Sequence, residues 1–192
     1  MPLGFAIFWL VLAAGLLFVL VGLWQLRRAR RAGLGNGLPL ELGAGAVRLR
    51  YPHWWTLSLE NKETARLKTQ DHDGELVIRC VPRSGAAEDP AVLLSRHLEQ
   101  QRIRFDEWPP VRISEGPVPG AMLASTATLI EQDEEVRANL ITYLFEGLAT
   151  RLTLEYRCSV LYGLVDAYYL DLMVRTLQID ERTSGARDRT PA

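Results

Sequence analysis

The residues whose types and spacing could support chemistry are few and scattered. His72 lies between Asp71 and Asp73, and together these three side chains could bind a metal ion. A metal site also needs ligands that converge from other parts of the chain, and the Gly74 that follows is typical of a solvated turn. We therefore predict a turn here and no metal site.

The motifs that carry common enzyme mechanisms are absent from the sequence. It contains no G-x-S-x-G, no Walker-type loop and no H-E-x-x-H. The serines and cysteines have no evident base to activate them, and no set of nucleophile, base and orienting group stands out. We predict that the protein is not an enzyme and that it holds no cofactor.

The two cysteines, Cys80 and Cys158, lie in apolar, strand-like segments. They form no C-x-x-C motif, so they indicate neither a metal site nor a redox site. We interpret them as buried thiols that pack as small hydrophobic groups. A disulfide between them is expected only if the domain faces an oxidising compartment.

Aromatic residues are the better candidates for a function, and that function would be binding. Trp54 and Trp55 follow a short predicted strand, while Tyr143 and Phe145 lie in the segment 136–145, which is apolar on both faces. A strand that is buried on both sides needs cover from a helix or from a partner. We interpret these four residues as apolar contacts to a protein partner, and cover by the chain's own helices is the alternative.

The alternation of apolar and polar residues predicts a mainly antiparallel α+β domain. Asp89 and Pro90 form a good helix start, with a capping side chain followed by proline in the first turn. The predicted helices cover residues 90–104 and 160–179. The predicted strands cover residues 47–51, 56–59, 64–69, 75–81, 111–113, 121–130, 136–145 and 149–158.

Several of these segments also resemble a known superfamily. They are the opening run 47–55 (Val-Arg-Leu-Arg-Tyr-Pro-His-Trp-Trp), the strand 75–81, the helix start at Asp89 and Pro90, and the run 152–157 that leads into a Tyr-rich helix. In these segments the chain resembles the PsbP/DcrB-like superfamily, with its Mog-type Ran-binding and Eag-type chaperone members. The resemblance implies a sheet flanked by two helices as an α/β/α sandwich, a surface that binds protein partners, and no catalytic residues.

The segment 3–24 contains no ionisable side chain and is long enough to cross a bilayer, which takes about 20 residues. A cleaved signal peptide would have a basic start and a shorter apolar core, so we predict a retained transmembrane anchor over residues 1–26. Small residues such as Gly15 and Gly22 lie along this span, and a homodimer through the helix is one possibility they raise.

Basic residues beside the anchor indicate its orientation. Arg27, Arg28, Arg30 and Arg31 follow the span, and basic flanks tend to stay in the cytoplasm. We predict a single-pass inner-membrane protein with a cytoplasmic C-terminal domain. The alternative is a signal anchor that exports the domain to the periplasm. After the anchor we predict a basic, Gly-rich linker over 27–46, a folded domain over 47–180 and a disordered tail over 181–192.

Charge excludes one class of partner. The chain has 22 Lys and Arg against 23 Asp and Glu, a formal net charge of −1. Because the main basic cluster belongs to the membrane flank, we expect no nucleic-acid binding. The expected function is that of an adaptor or chaperone that holds a protein partner near the membrane. The alternative is an exported envelope domain that binds a lipid or a small apolar ligand.

Overall fold

The computed structural model describes Gly15 and residues 37–180, apart from 70–73, 84, 87, 102, 106–110, 115–117, 119, 132–133 and 161–165. Gly15 is helical and exposed, but the rest of the predicted anchor, its four arginines and the tail lie outside the described residues. In the described part of the chain, no helix is long and apolar enough to cross a membrane. The chain divides into two units, Met1–Asn36 and Gly37–Ala192.

The second unit is built mainly from strands, with two helices in its described part. The helices are α1 (Pro90–Gln100) and α2 (Ala167–Arg175). The strands are β1 (Leu38–Leu42), β2 (Val47–Tyr51), β3 (Thr56–Leu59), β4 (Thr64–Lys68), β5 (Glu75–Pro82), β6 (Ile103–Arg104), β7 (Arg112–Ser114), β8 (Gly120–Glu131), β9 (Glu134–Glu146), β10 (Thr150–Ser159) and β11 (Gln178–Ile179).

The strands form two sheets instead of the single sheet that the sequence predicted. The large sheet has eight strands in the order β3-β4-β5-β10-β9-β8-β6, with β7 also paired to β8. The small sheet has the order β1-β2-β11. The strand pairs within both sheets are antiparallel, and β8, β9 and β10 form the long meander that alternation and short turns predicted. A mostly antiparallel α+β fold is therefore confirmed.

Strand β1 lies inside the segment that we predicted to be linker. Leu40 and Leu42 are buried, and the strand pairs with β2 from Leu38↔Tyr51 to Leu42↔Val47. Two of the glycines in the predicted linker, Gly43 and Gly45, form the tight turn of this hairpin, where Gly43 has φ +61°. The predicted linker is thus wrong from residue 38 onward, because turn chemistry and linker chemistry use the same residues.

Both helices end earlier than helical periodicity predicted. Asp89 caps α1 as expected, since its side chain accepts a hydrogen bond from Ala91 N at 2.8 Å. The chain then leaves the helix, and Ile103–Arg104 pairs with β8. In the same way, Gln178–Ile179 pairs with β2 after α2. Apolar spacing alone did not distinguish a last helical turn from a short strand, and sheet pairing decided it.

Elements of the chain itself pack on both faces of the large sheet. On one face, here called the α1 face, α1 packs against β8 and β9; the contacting residues are Leu93, Leu94, Leu98, Ala121, Leu123, Leu140 and Leu144. The small sheet and α2 lie over the opposite face, where a Cβ atom on Gly43 would come within 2.6 Å of Cys80 Sγ. The apolar segment predicted in β9 is therefore covered by helix on one side and by the small sheet with α2 on the other.

The two cysteines are buried and unbonded. Cys80 in β5 lies opposite Leu152 in β10, and Cys158 lies six positions farther along β10. Six positions in a strand span about 20 Å, whereas the Cα atoms of a disulfide lie within about 7 Å of each other. The structure therefore rules out a disulfide between them in any compartment, and the interpretation as buried thiols is confirmed.

Candidate functional site

Three of the four aromatic residues predicted to contact a partner belong to the core. Trp55, Tyr143 and Phe145 are 3%, 4% and 0% exposed, respectively. Trp55 stacks on Tyr156 with ring centroids 6.2 Å apart. All of these rings lie on the face of the large sheet that the small sheet and α2 cover. Their interpretation as partner contacts is wrong, because cover by the chain's own elements leaves them no access to a partner.

Trp54 has the opposite environment, with 40% of its surface exposed. Its ring makes edge contacts with His53 at 4.8 Å and with Tyr169 at 5.2 Å, and Tyr169 in turn meets Tyr168 at 5.6 Å. We call His53, Trp54, Tyr168 and Tyr169 the aromatic cluster. The turn between β2 and β3 supplies its first two rings, and the first turn of α2 supplies the others.

A buried hydrogen bond ties the two halves of the aromatic cluster to one support. Tyr156 on β10 donates from its hydroxyl to Asp166 Oδ2 at 2.6 Å, directly before α2. Burial, reinforced by the Asp166 carboxylate, strongly raises the pKa of Tyr156, so the phenol stays a neutral donor. The same Tyr156 ring stacks on Trp55, the neighbour of Trp54. The helix and the turn are thus held against the same side chain of the large sheet.

The aromatic cluster has the properties of a contact surface. Tryptophan and tyrosine bring a large apolar area together with a polar tip, and they lose little conformational freedom when they bind. Such residues dominate the energy of protein interfaces. Sequence reasoning selected Trp54 but not Tyr168 and Tyr169 as site residues. The adjacent tyrosines at the start of a helix were the available signal.

A second surface lies on the α1 face beside α1, which packs mainly over β8 and β9. A cavity of about 220 Å³ opens there between the end of α1 and strands β4, β5 and β10. Val77, Leu129 and Leu140 form its apolar floor. Its charged lining residues are Arg66, Arg79, Glu155 and Arg157. We call this cavity the charged groove.

The arginines of the charged groove are held by two carboxylates. Glu75 is 8% exposed and accepts from Arg66 Nη1 at 2.8 Å and from Arg157 Nη2 at 2.7 Å. Burial alone raises the pKa of Glu75, but the hydrogen bonds from Arg66 and Arg157 outweigh it and lower the pKa overall. Glu75 therefore stays charged and fixes the direction of both guanidinium groups.

Glu155 connects α1 to the large sheet. Its Oε1 accepts from Arg79 Nη1 at 2.7 Å and from Gln101 Nε2 at 3.1 Å, and it lies 2.8 Å from His97 Nε2. Burial raises the pKa of Glu155, yet the bond to His97 and the charge of Arg79 exceed that effect and lower it. A carboxylate held by these three neighbours in this position supports the structure.

Possible metal ligands can be compared only in the part of the chain that the structure describes. Within the described ranges, no three His, Cys, Asp or Glu side chains are placed to hold a metal ion. Residues 71–73, where we predicted a turn, lie outside these ranges. Burial also raises the pKa of the Cys80 thiol to about 11, and a protonated thiol is a poor nucleophile and ligand.

Comparison with known proteins gives similarity in fold only. No protein-family model matches the sequence, and no curated protein matches it. A structure from Bacteroides thetaiotaomicron aligns with a TM-score of 0.54 and 9% identity over 76% of this chain and 49% of that one. This chain therefore spans about half the length of that protein.

Two further similar structures belong to named proteins. Cyanobacterial PsbP (CyanoP) from Synechocystis sp. PCC 6803 aligns with a TM-score of 0.47 and 9% identity, over 74% of this chain and 91% of that one. LpqN, which is involved in cell envelope biogenesis of Mycobacterium tuberculosis, aligns with a TM-score of 0.44 and 14% identity, over 74% and 90%. The structural neighbours thus include PsbP and LpqN, and at these identities the likeness concerns the fold and assigns no partner or activity to this chain.

Proposed function

We propose that this chain is a membrane-anchored, non-enzymatic binding protein, an adaptor or chaperone that holds a protein partner near the inner membrane through its aromatic cluster. The observation that carries this proposal is the position of Trp54, an exposed indole set among three other rings on a rigid support. Packing would normally bury so large an apolar side chain, as it buries Trp55 one position later.

The composition of the aromatic cluster favours a protein as its partner. It combines apolar ring faces with the hydroxyl groups of Tyr168 and Tyr169 and the imidazole of His53, so it can bury surface and form hydrogen bonds together. Its support is preorganised by the bond between Tyr156 and Asp166, which lowers the entropic cost of association. The predicted anchor over residues 1–26 would keep this surface close to the bilayer.

Site-specific photo-crosslinking tests the proposal in the cells that produce the protein. A benzophenone amino acid replaces Trp54 in the full chain, and a matched control carries it at Leu148, a 70% exposed residue in the turn between β9 and β10. We expect a discrete protein adduct from position 54 that is absent from position 148. The same adducts from both positions, or none from position 54, would contradict the proposal.

The chemical nature of the adduct separates the proposal from its alternative. Mass spectrometry of the crosslinked product distinguishes a protein partner from a lipid. A lipid adduct specific to position 54 would reject the protein-binding function and support an envelope domain that binds an apolar ligand. A reporter that is active only outside the cytoplasm, fused to the C-terminus, tests the location separately, and we expect it to be inactive.

A further inference from the structure

The charged groove continues into a second cavity on the α1 face. The second cavity has a volume of about 410 Å³ and shares Leu129 and Arg157 with the charged groove. It is lined in addition by Lys68, Arg137 and Glu75. The two cavities therefore form one trough over the part of the large sheet that α1 leaves uncovered.

The trough is more basic than the chain as a whole. Among the residues that the structure describes, four basic side chains and two acidic ones line the trough on this face, although the full sequence has 22 basic and 23 acidic residues. The basic residues are Arg66, Lys68, Arg79 and Arg157. Glu60 at the rim reduces this excess through its ion pair with Arg66 without cancelling it. A concave surface lined mainly by one sign of charge focuses the field on a ligand of the opposite sign.

The arginines of the trough are also oriented in advance. Glu75, held between Arg66 and Arg157, spares a ligand the cost of ordering those side chains. Arg79 pairs with Glu155 through one nitrogen, Nη1, and its side chain is 44% exposed. A guanidinium carries five N–H donors, so Arg79 can donate to Glu155 and also to an anionic group of a ligand in the trough.

From this charge and shape we propose that the trough binds an acidic, partly apolar segment of another protein. The acidic side chains of that segment would meet Arg79, Arg157 and Lys68, and its apolar side chains would lie on Val136, which lines the trough and is 40% exposed. A protein segment fits better than a lipid, because the trough is lined by charged side chains together with only a few apolar ones. A lipid chain needs an enclosed apolar pocket that covers most of its surface. This surface is separate from the aromatic cluster and does not depend on it.

A designed peptide tests the proposal without knowledge of the natural partner. The probe is a fluorescent ten-residue peptide of alternating Glu and Leu, and the two comparison peptides alternate Lys with Leu and Glu with Ser. Binding to the full chain in neutral detergent is followed by fluorescence anisotropy at low and high salt. We expect the Glu/Leu peptide to bind most tightly and to weaken as salt rises, because charge attraction is screened.

Two substitutions in the trough and one outside it make the test specific. Arg79→Gln and Lys68→Gln remove exposed cations, and each should weaken binding of the Glu/Leu peptide by about five- to tenfold. The matched control is Arg48→Gln, since Arg48 is also exposed and pairs with a single glutamate, Glu41, on the small sheet. This control should leave the affinity unchanged. Because Lys68 is 67% exposed, its replacement keeps the test valid even if Arg79→Gln unfolds the domain.

The remaining outcomes overturn the proposal. Equal binding of the Lys/Leu peptide, an equal effect of Arg48→Gln, or no binding of the Glu/Leu peptide would each refute it. Vesicles of phosphatidylglycerol provide the lipid arm. If they bind with dependence on Arg79 while the peptides do not, the occupant is a lipid headgroup and the proposal is wrong. None of these readouts involves Trp54, so this proposal and the proposed function can fail separately.

Discussion

Replacing Trp55 with alanine should mainly lower stability, whereas replacing the adjacent Trp54 with alanine should mainly weaken partner binding. Trp55 is 3% exposed and stacked on Tyr156, so Trp55→Ala leaves a cavity in the core. Removal of a buried tryptophan costs about 3–5 kcal/mol of unfolding free energy. Trp54 is 40% exposed and mainly makes edge contacts, so Trp54→Ala should cost about 1 kcal/mol or less.

Urea unfolding of the full chain in neutral detergent, followed by far-UV circular dichroism, measures this difference. With a denaturant slope of about 2 kcal/mol per M, the midpoint should fall by about 1.5–2.5 M for Trp55→Ala and by no more than about 0.5 M for Trp54→Ala. The loss of partner binding should follow the reverse order and be larger for Trp54→Ala than for Trp55→Ala, because Trp54 lies at the surface. Equal shifts of the two midpoints would refute the assignment of one ring to the core and the other to a contact surface.

A third variant refines this prediction. The indole Nε1 of Trp55 is buried without a hydrogen-bond partner among the described residues. Trp55→Phe removes that unpaired donor and keeps an aromatic ring in the core. It should therefore cost less than half as much as Trp55→Ala in the same urea titration. A cost equal to that of Trp55→Ala would mean that the indole N–H has a partner.

Three further changes test other parts of the fold. Tyr156→Phe removes the hydroxyl that donates to the buried carboxylate of Asp166, so urea unfolding should show a loss of about 1–3 kcal/mol, and an unchanged midpoint would contradict the bond. The pKa of Glu155 is lowered in the folded state, so its stabilising effect is complete above its ordinary pKa near 4.5 and is lost as pH falls below it. Wild type should therefore exceed Glu155→Gln in stability at pH 7 and lose that advantage toward pH 3, whereas a constant difference would exclude the charge as its origin. Gly43→Ala should lower the thermal midpoint by several degrees, because φ is +61° and the new Cβ would lie 2.6 Å from Cys80 Sγ; an unchanged midpoint would show that the hairpin turn adapts.

Local features of the sequence determined much of the secondary structure. Alternation with short charged turns predicted the meander of β8, β9 and β10, because side chains in a strand point to alternate faces. Asp89 followed by Pro90 predicted the start of α1, because both act on the backbone within one turn. The anchor over residues 1–26, its orientation and the tail rest on composition and stay predictions.

Only the tertiary structure decided where these elements pack. The Gly-rich turn before β2 is compatible with a linker or a hairpin, and pairing of β1 with β2 selected the hairpin. Trp54 and Trp55 are the same residue type side by side, and the direction of the chain after Pro52 sent one ring outward and the other onto Tyr156. The trough exists because α1 packs mainly over β8 and β9 and reaches β10 through His97 and Glu155. Such outcomes depend on contacts between residues distant in sequence, which no local pattern of residues encodes.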